Sequence, residues 1–254
     1  MKLTVLGCYG GIGGARRTTA LLLDDDILVD AGSGAGNLSL EQMARVDHVF
    51  LTHAHLDHSG FVPLLADAVA FLRRQPLLVH ALPEVIAVLK AHMLNGELWP
   101  DYTVLPSVEH PCIRFVPIVP GVPTLLGNRR ITPLSVRHSV PAVAYCLDSG
   151  DGSFVYSGDT TDCEEFWAAL NGIENLRYLM IETTLLNAAS HAAALSGHLS
   201  AELLARGLAR WQRPVHLLIT HLEPGKEEQV MAEVMAACGK FKPVQLQQGQ
   251  VFVF

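Results

Sequence analysis

His53-Ala54-His55-Leu56-Asp57-His58 places three imidazoles and one carboxylate within six residues. Neutral imidazole and carboxylate are the donors that suit zinc and its divalent neighbours. On an extended loop His53 and His55 can point the same way and grip one ion. Asp57 and His58 fall just beyond and can grip a second. With twelve His and twelve Asp among 254 residues, chance would supply this pattern in roughly one such chain per thousand. The competing interpretation is a solvated, histidine-rich turn.

The hexapeptide follows the strand-like run Asp47-His48-Val49-Phe50-Leu51-Thr52, so a strand must deliver it. Upstream, residues 3–6, 18–23 and 27–29 read as strands, with Asp24-Asp25-Asp26 as the turn between the last two. Ser39 and Gln42 form a capping-box pattern at the start of a helix. Downstream, a helix is predicted over 61–73, where Pro63 is tolerable only in the first turn. A short strand over 77–80 and a helix over 83–94 follow. Seven prolines between 106 and 141, with many β-branched residues, point to strands and turns. Residues 154–156, 178–181 and 215–220 are apolar runs of buried-strand type, and 163–170, 201–211 and 227–238 read as helices. No internal sequence repeat, low-complexity tract or linker is visible, so one domain over residues 1–254 is expected. Many strands, each leading to a loop with a polar residue, and helices outside suggest an α/β sandwich of two sheets.

Half the residues are hydrophobic and 17% are charged, as in a well-packed globular domain of enzyme size. No apolar run reaches the roughly 18 residues of a membrane span. The N-terminus reads as a strand and not as a signal peptide. Five cysteines, scattered and without a CxxC pair, suit free thiols in a reducing cytosol, so a cytoplasmic location is expected. A net charge of −7 argues against nucleic acid as the main partner. The glycine-rich stretch 7–14 matches neither GxGxxG nor the P-loop, and a strand follows where a helix N-terminus would be needed; it reads as a mobile or tightly turning loop. Arg16 and Arg17 just after it could touch a substrate phosphate, though solvated arginines are the default.

A two-metal site needs more ligands than the hexapeptide holds. His138 follows the strand-like run 131–136, Asp159 lies where Tyr156-Ser157-Gly158-Asp159 breaks into a glycine turn, and His221 follows His216-Leu217-Leu218-Ile219-Thr220. Loops held by a rigid sheet commonly carry functional groups at such places. Singly, each is more often a capping or hydrogen-bonding residue.

The ordered set His53-x-His55-x-Asp57-His58, His138, Asp159 and His221 resembles the metallo-β-lactamase-fold hydrolases over nearly the whole chain. The resemblance implies a four-layer αββα sandwich of two mixed sheets with external helices. It implies that His53, His55 and His138 hold one divalent ion, that Asp57, His58 and His221 hold another, and that Asp159 bridges both. Aspartate at 159 is like the phosphodiesterase and thioesterase branches and less like the lactamases proper, whose second site often uses cysteine. Zinc is the default ion from donor chemistry, with Mn2+ or Fe accepting the same set.

Ser196-Gly197-His198-Leu199-Ser200 and Met180-Ile181-Glu182-Thr183-Thr184 look like the phosphodiesterase branch, which includes the tRNA 3′-processing endonucleases and the class II cyclic-nucleotide phosphodiesterases. The likeness implies that His198 meets the scissile phosphate and protonates the leaving oxygen, and that Glu182 orients it. His55-Leu56-Asp57-His58-Ser59-Gly60, the segment around Trp99-Pro100 and Thr220-His221-Leu222-Glu223-Pro224 are similar to the cyclic-nucleotide group. Trp99 or Tyr102 could stack on a base, or be core aromatics. Asp30 is a candidate for fixing a ligand histidine, or an ordinary turn carboxylate. The expected reaction is attack on a 3′,5′-cyclic nucleotide by a hydroxide shared between the ions, with Asp57 orienting it as well as binding metal. The substrate would then be a small phosphodiester; family habit implies a homodimer. The alternatives are an RNA 3′-end endonuclease, a thioesterase, or a non-hydrolytic metal-binding carrier on the same scaffold. His198 argues against the thioesterase; the acidic balance and the lack of a Lys- and Gly-rich arm argue against the nuclease.

Overall fold

The structure is a computed structural model that describes residues 1–211 and 213–254. The first half of the chain supplies β1 (Lys2–Gly7), β2 (Ala20–Leu23), β3 (Ile27–Val29), α1 (Leu40–Arg45), β4 (His48–Phe50), α2 (Leu56–Ser59), α3 (Val62–Val69), β5 (Leu77–Ala81), α4 (Pro83–His92) and β6 (Ile113–Pro117). The second half supplies β7 (Thr124–Leu126), β8 (Arg129–Ser135), β9 (Val143–Asp148), β10 (Ser153–Tyr156), α5 (Glu164–Asn171), β11 (Leu176–Glu182), α6 (Ser190–Ser196), α7 (Ala201–Leu208), β12 (His216–Thr220), α8 (Glu227–Cys238), β13 (Val244–Gln245) and β14 (Val251–Val253).

These strands form two mixed sheets of seven, ordered β14-β1-β2-β3-β4-β5-β6 and β13-β12-β11-β10-β9-β8-β7. The pairing pattern is the same in both. The β14-β1-β2-β3 and β7-β8-β9-β10 ladders are antiparallel, and the β3-β4-β5-β6 and β10-β11-β12-β13 ladders are parallel. A repeat of architecture is therefore present although no repeat of sequence is visible, because pairing direction depends on strand period and connection length and not on residue identity.

The strands read as continuous apolar runs because each sheet is covered on both faces. Along β11, Leu179 and Ile181 enter the core under α5, α7 and α8, while Tyr178 and Met180 face the layer between the sheets. Along β2, Ala20 and Leu22 face the helices of the first half, and Leu21 and Leu23 face the other sheet. The period of two thus feeds three apolar layers between four layers of secondary structure, the αββα sandwich that the resemblance implied.

Local signals held where they were chemical. Ser39 and Gln42 close a reciprocal capping box on α1, and Pro63 sits in the first turn of α3. α8 has the predicted bounds, whereas α3 stops at Val69 and α7 at Leu208, short of the expected 73 and 211. β9 and α6 have no counterpart among the sequence-based expectations. Trp99 and Tyr102 are partly buried and pack against the core of the first half, and the Tyr102 hydroxyl donates to Asp67 on α3.

Candidate metal centre

The site residues follow the C-terminal ends of strands: Asp30 after β3, the hexapeptide after β4, His138 after β8, Asp159 after β10, Glu182 at the end of β11 and His221 after β12. Residues at strand C-termini lie in the crevice where α/β sheets bind ligands. Two of them are held in left-handed backbone, Asp30 at φ 57° and His221 at φ 59°. Non-glycine residues in that region carry strain of about 1–3 kcal/mol and gather at functional sites. The glycine-rich stretch does turn tightly here. A Cβ on Gly10 would stand 2.9 Å from His221 Nδ1, so only glycine lets this loop close over the histidine.

Two donor clusters meet at one carboxylate. In the first, His53 Nε2 lies 3.1 Å from His55 Nδ1, and His138 Nε2 lies 3.3 Å from the same atom. Asp159 Oδ2 is 3.6 Å from His53 Nε2 and 4.0 Å from His138 Nε2. In the second, His221 Nε2 is 3.2 Å from both His58 Nε2 and Asp57 Oδ2. Asp159 Oδ1 is 3.4 Å from both His58 Nε2 and His221 Nε2. All seven predicted ligand positions therefore converge, with one oxygen of Asp159 facing each cluster.

The surroundings fix the tautomers. Gly197 O accepts from His138 Nδ1 at 2.9 Å, and Asp30 Oδ2 accepts from His58 Nδ1 at 2.7 Å. His138 and His58 are thereby left with Nε2 turned inward, and His55 turns Nδ1 to the same centre. Asp159 Oδ1 is buried and has no hydrogen-bond donor among the described residues. Lone pairs facing lone pairs at about 3 Å repel unless a cation stands between them. The orphaned oxygen and the converging nitrogens therefore fit a pair of divalent ions, and a nitrogen-and-oxygen donor set suits zinc, manganese or iron.

Burial keeps His53 neutral, with a pKa well below the ordinary imidazole value, and lowers His55 and His138 in the same way. At His58 burial also opposes the charge, but Asp159 and Asp30 outweigh it and the pKa stands well above that value. Burial would raise the carboxyls of Asp57 and Asp159, yet the imidazoles around them hold both well below the usual carboxylate range.

Asp30, fully buried, accepts from the Thr52 backbone N–H at 2.8 Å, from the Tyr156 hydroxyl at 3.0 Å and from His58. These bonds tie Asp30 to a cluster histidine. Groups of this kind typically tune metal affinity by 10–100-fold. Asp30→Asn, which cannot accept with both side-chain atoms, should weaken metal retention against a competing chelator by about that factor; unchanged retention would remove Asp30 from the site. Gly32 is a second support. A Cβ there would come within 2.0 Å of Asp57 O and 2.7 Å of Thr19 O, both backbone. Gly32→Ala should push the Asp57–His58 turn outward, costing about 1–3 kcal/mol of stability. It should also empty the second cluster first; a variant with wild-type melting and metal content would contradict this.

A third group lies alongside. Glu182 Oε1 accepts from His198 Nδ1 at 2.8 Å and from Thr160 N at 3.1 Å, and Oε2 accepts from Thr184 Oγ1 at 2.9 Å and Leu199 N at 3.2 Å. Four donors hold the Glu182 carboxylate in place. Burial would lower the His198 pKa, but the Glu182 charge reverses this and it is pushed up to about 9. The His198 ring stacks 5.6 Å from His221 and meets the edge of His138 at 5.0 Å. Sequence reasoning missed Thr184, whose Oγ1 also meets His221 Nδ1 at 3.0 Å, and Gly197, whose left-handed φ of 80° turns its carbonyl to His138. The doubled threonine after Glu182 and the glycine before His198 were the available signals. Arg16 is spent on Glu227, and the Arg17 guanidinium donates to Gly14 O and Arg16 O.

The chain is 27% identical over 234 residues to the probable metallo-hydrolase YhfI of Bacillus subtilis, covering 87% of each protein. The crystal structure of that protein superposes with a TM-score of 0.75 over 99% of this chain and 98% of the other, at 22% identity. It is 30% identical over 212 residues to transcription termination factor FttA of Cenarchaeum symbiosum, matching 72% of this chain and 31% of that longer protein. It is 25% identical over 170 residues to the cGMP-dependent 3′,5′-cGMP phosphodiesterase A of Dictyostelium discoideum, matching 62% of this chain and 18% of that one. Residues 26–222, which contain every residue of the two clusters, match the beta-lactamase superfamily domain, and the chain belongs to that family of metal-dependent hydrolases.

Proposed function

We propose that the protein is a dinuclear-metal phosphodiesterase acting on 3′,5′-cyclic nucleotides. The observation that carries this reading is the Glu182–His198 pair, 2.8 Å apart, beside two clusters that share Asp159. Hydrolysis of a cyclic nucleotide expels a ribose oxygen, a poor leaving group that needs a proton. A thioester expels a thiolate and makes no such demand.

In this reading His53, His55 and His138 hold one ion, Asp57, His58 and His221 hold the other, and Asp159 serves both. When bound, such a pair supplies a water acidic enough to attack phosphorus at neutral pH and offsets charge on the phosphoryl oxygens. The remaining work falls to side chains. Glu182 accepts the Nδ1 proton of His198 and so keeps Nε2 as the donor toward the leaving oxygen. Thr184 ties that carboxylate to His221, which sets the donor's position relative to the clusters. Asp57, 30% exposed, meets His221 through Oδ2, and its Oδ1, without a hydrogen-bond partner among the described residues, would orient the attacking water.

The cyclic-nucleotide class rests on the likeness of residues 55–60 and 220–224 to that group and on the Dictyostelium relative's stated activity. Metal-loaded protein should turn over 3′,5′-cyclic AMP or GMP in preference to 2′,3′-cyclic AMP, a tRNA precursor or a glutathione thioester, and chelator should abolish the activity. Selective cleavage of the tRNA precursor or the thioester would move the protein to that branch with the metal centre intact. Silence toward every ester with two ions bound would make it a carrier.

A further inference from the structure

At the opposite end of the first sheet lies a second site with different chemistry. Pro76 leads into β5 and Cys112 into β6, and Arg73 and Arg74 follow α3, so a cavity of about 370 Å³ opens at the N-terminal ends of the parallel strands. The metal centre is at their C-terminal ends, roughly 10–17 Å away by strand length. The cavity belongs to no part of the hydrolytic machinery described above.

Its lining mixes basic residues with small apolar ones. Arg73, Arg74, Arg114 and His110 are set against a single acid, Glu109. Arg73 is structural at its outer nitrogens, which donate to Ala44 O and Asp47 Oδ1, both at 2.7 Å. Its side chain is 9% exposed and its Nε has no partner among the described residues. Arg74 and Arg114 have no ion-pair partner among the described residues. Both are exposed residues that line one cavity, where Glu109 is the single acid. Between these groups the lining is small and apolar, with Ala66, Val69 and Ala70 from α3 and its C-terminal end, and Pro106 and Pro111.

We propose that this cavity binds a small phosphomonoester carrying a flat, apolar group. One phosphate dianion can accept bidentate hydrogen bonds from two guanidiniums and balance both charges, whereas a carboxylate monoanion balances only one. The proline, alanine and valine part of the lining receives the uncharged part, and the volume lies in the range of small-molecule sites. The inference does not rest on the reading of the metal centre.

The chain carries its own reporter. Cys112 lines the cavity and is half-buried, whereas Cys8, Cys146, Cys163 and Cys238 are buried. The test is the rate of Cys112 alkylation by neutral iodoacetamide, read by mass spectrometry on metal-loaded protein, with inorganic phosphate or adenosine 5′-monophosphate added at constant ionic strength. Both should slow alkylation saturably, the nucleotide with a half-effect at about 1 mM or below and the inorganic ion more weakly. In the Arg74→Gln/Arg114→Gln double variant the rate should no longer respond to either anion. In Asp159→Asn protein the protection should persist, since that residue lies at the other end of the strands. Unprotected alkylation at about 10 mM nucleotide, or protection that survives in the double variant, overturns the proposal.

Discussion

Replacing Asp159 with asparagine should reduce the metal content from two ions per chain to one or fewer and lower turnover by about 10³-fold or more. Asp159 is 2% exposed, its two oxygens face different clusters, and Oδ1 has no other partner among the described residues. Each cluster otherwise consists of three side chains, so loss of the shared carboxylate degrades both at once. Metal ions supply several kcal/mol of transition-state stabilisation, and each 1.36 kcal/mol is about tenfold in rate. Elemental analysis and steady-state kinetics check the two halves separately. Thermal melting adds a control. Loaded wild-type protein should gain about 4 kcal/mol per bound ion at a thousandfold excess of ion over its dissociation constant. Loaded variant should gain far less, and the two chelated proteins should melt close together. Two ions retained in the variant would end the bridging assignment.

Removal of His198 should separate substrates by leaving group. With 3′,5′-cyclic AMP, His198→Ala should lose about 10²–10⁴-fold in kcat, the usual worth of a positioned general acid. With bis(p-nitrophenyl) phosphate, whose leaving phenolate needs no proton, the loss should be less than about tenfold. Equal losses on both substrates would mean that His198 positions the site and donates nothing. The pH dependence adds a second reading. The donor works in its protonated form, so turnover should fall as pH rises through the His198 pKa, which Glu182 and burial together place at about 9. Glu182→Gln removes the charge that raises it and leaves the burial that lowers it. The basic limb of the variant should therefore lie at lower pH than that of the wild type. Two bound cations shift both proteins downward, but the order of the two limbs stands. Metal content should be unchanged in His198→Ala, because His198 lies beside the clusters and outside both ligand sets.

What could be read from residues alone was whatever depended on near neighbours in the chain. The hexapeptide after β4 is such a case, because a strand that ends in an extended turn displays alternate side chains on one side whatever the rest of the fold does. The capping box of α1 and the proline in the first turn of α3 are further cases. His138, Asp159, His221, His198 and Glu182 could be picked out by their order and their places after apolar runs. Only the packing of two sheets brings side chains more than a hundred residues apart to within hydrogen-bond distance, as with His58 and His221 at 3.2 Å. The pairing of Asp30 with His58 and the closure of Gly10 on His221 also belong to the tertiary structure. A turn carboxylate and a glycine loop look the same in sequence whether they face a metal centre or water. The same limit hid from the sequence that Trp99 and Tyr102 pack partly buried against the first-half core. Sequence determined the chemistry on offer, because ligand type is a property of the residue. The tertiary structure decided which groups share an atom, which tautomers their neighbours enforce and which charges go unanswered, because those depend on distances that no local pattern encodes.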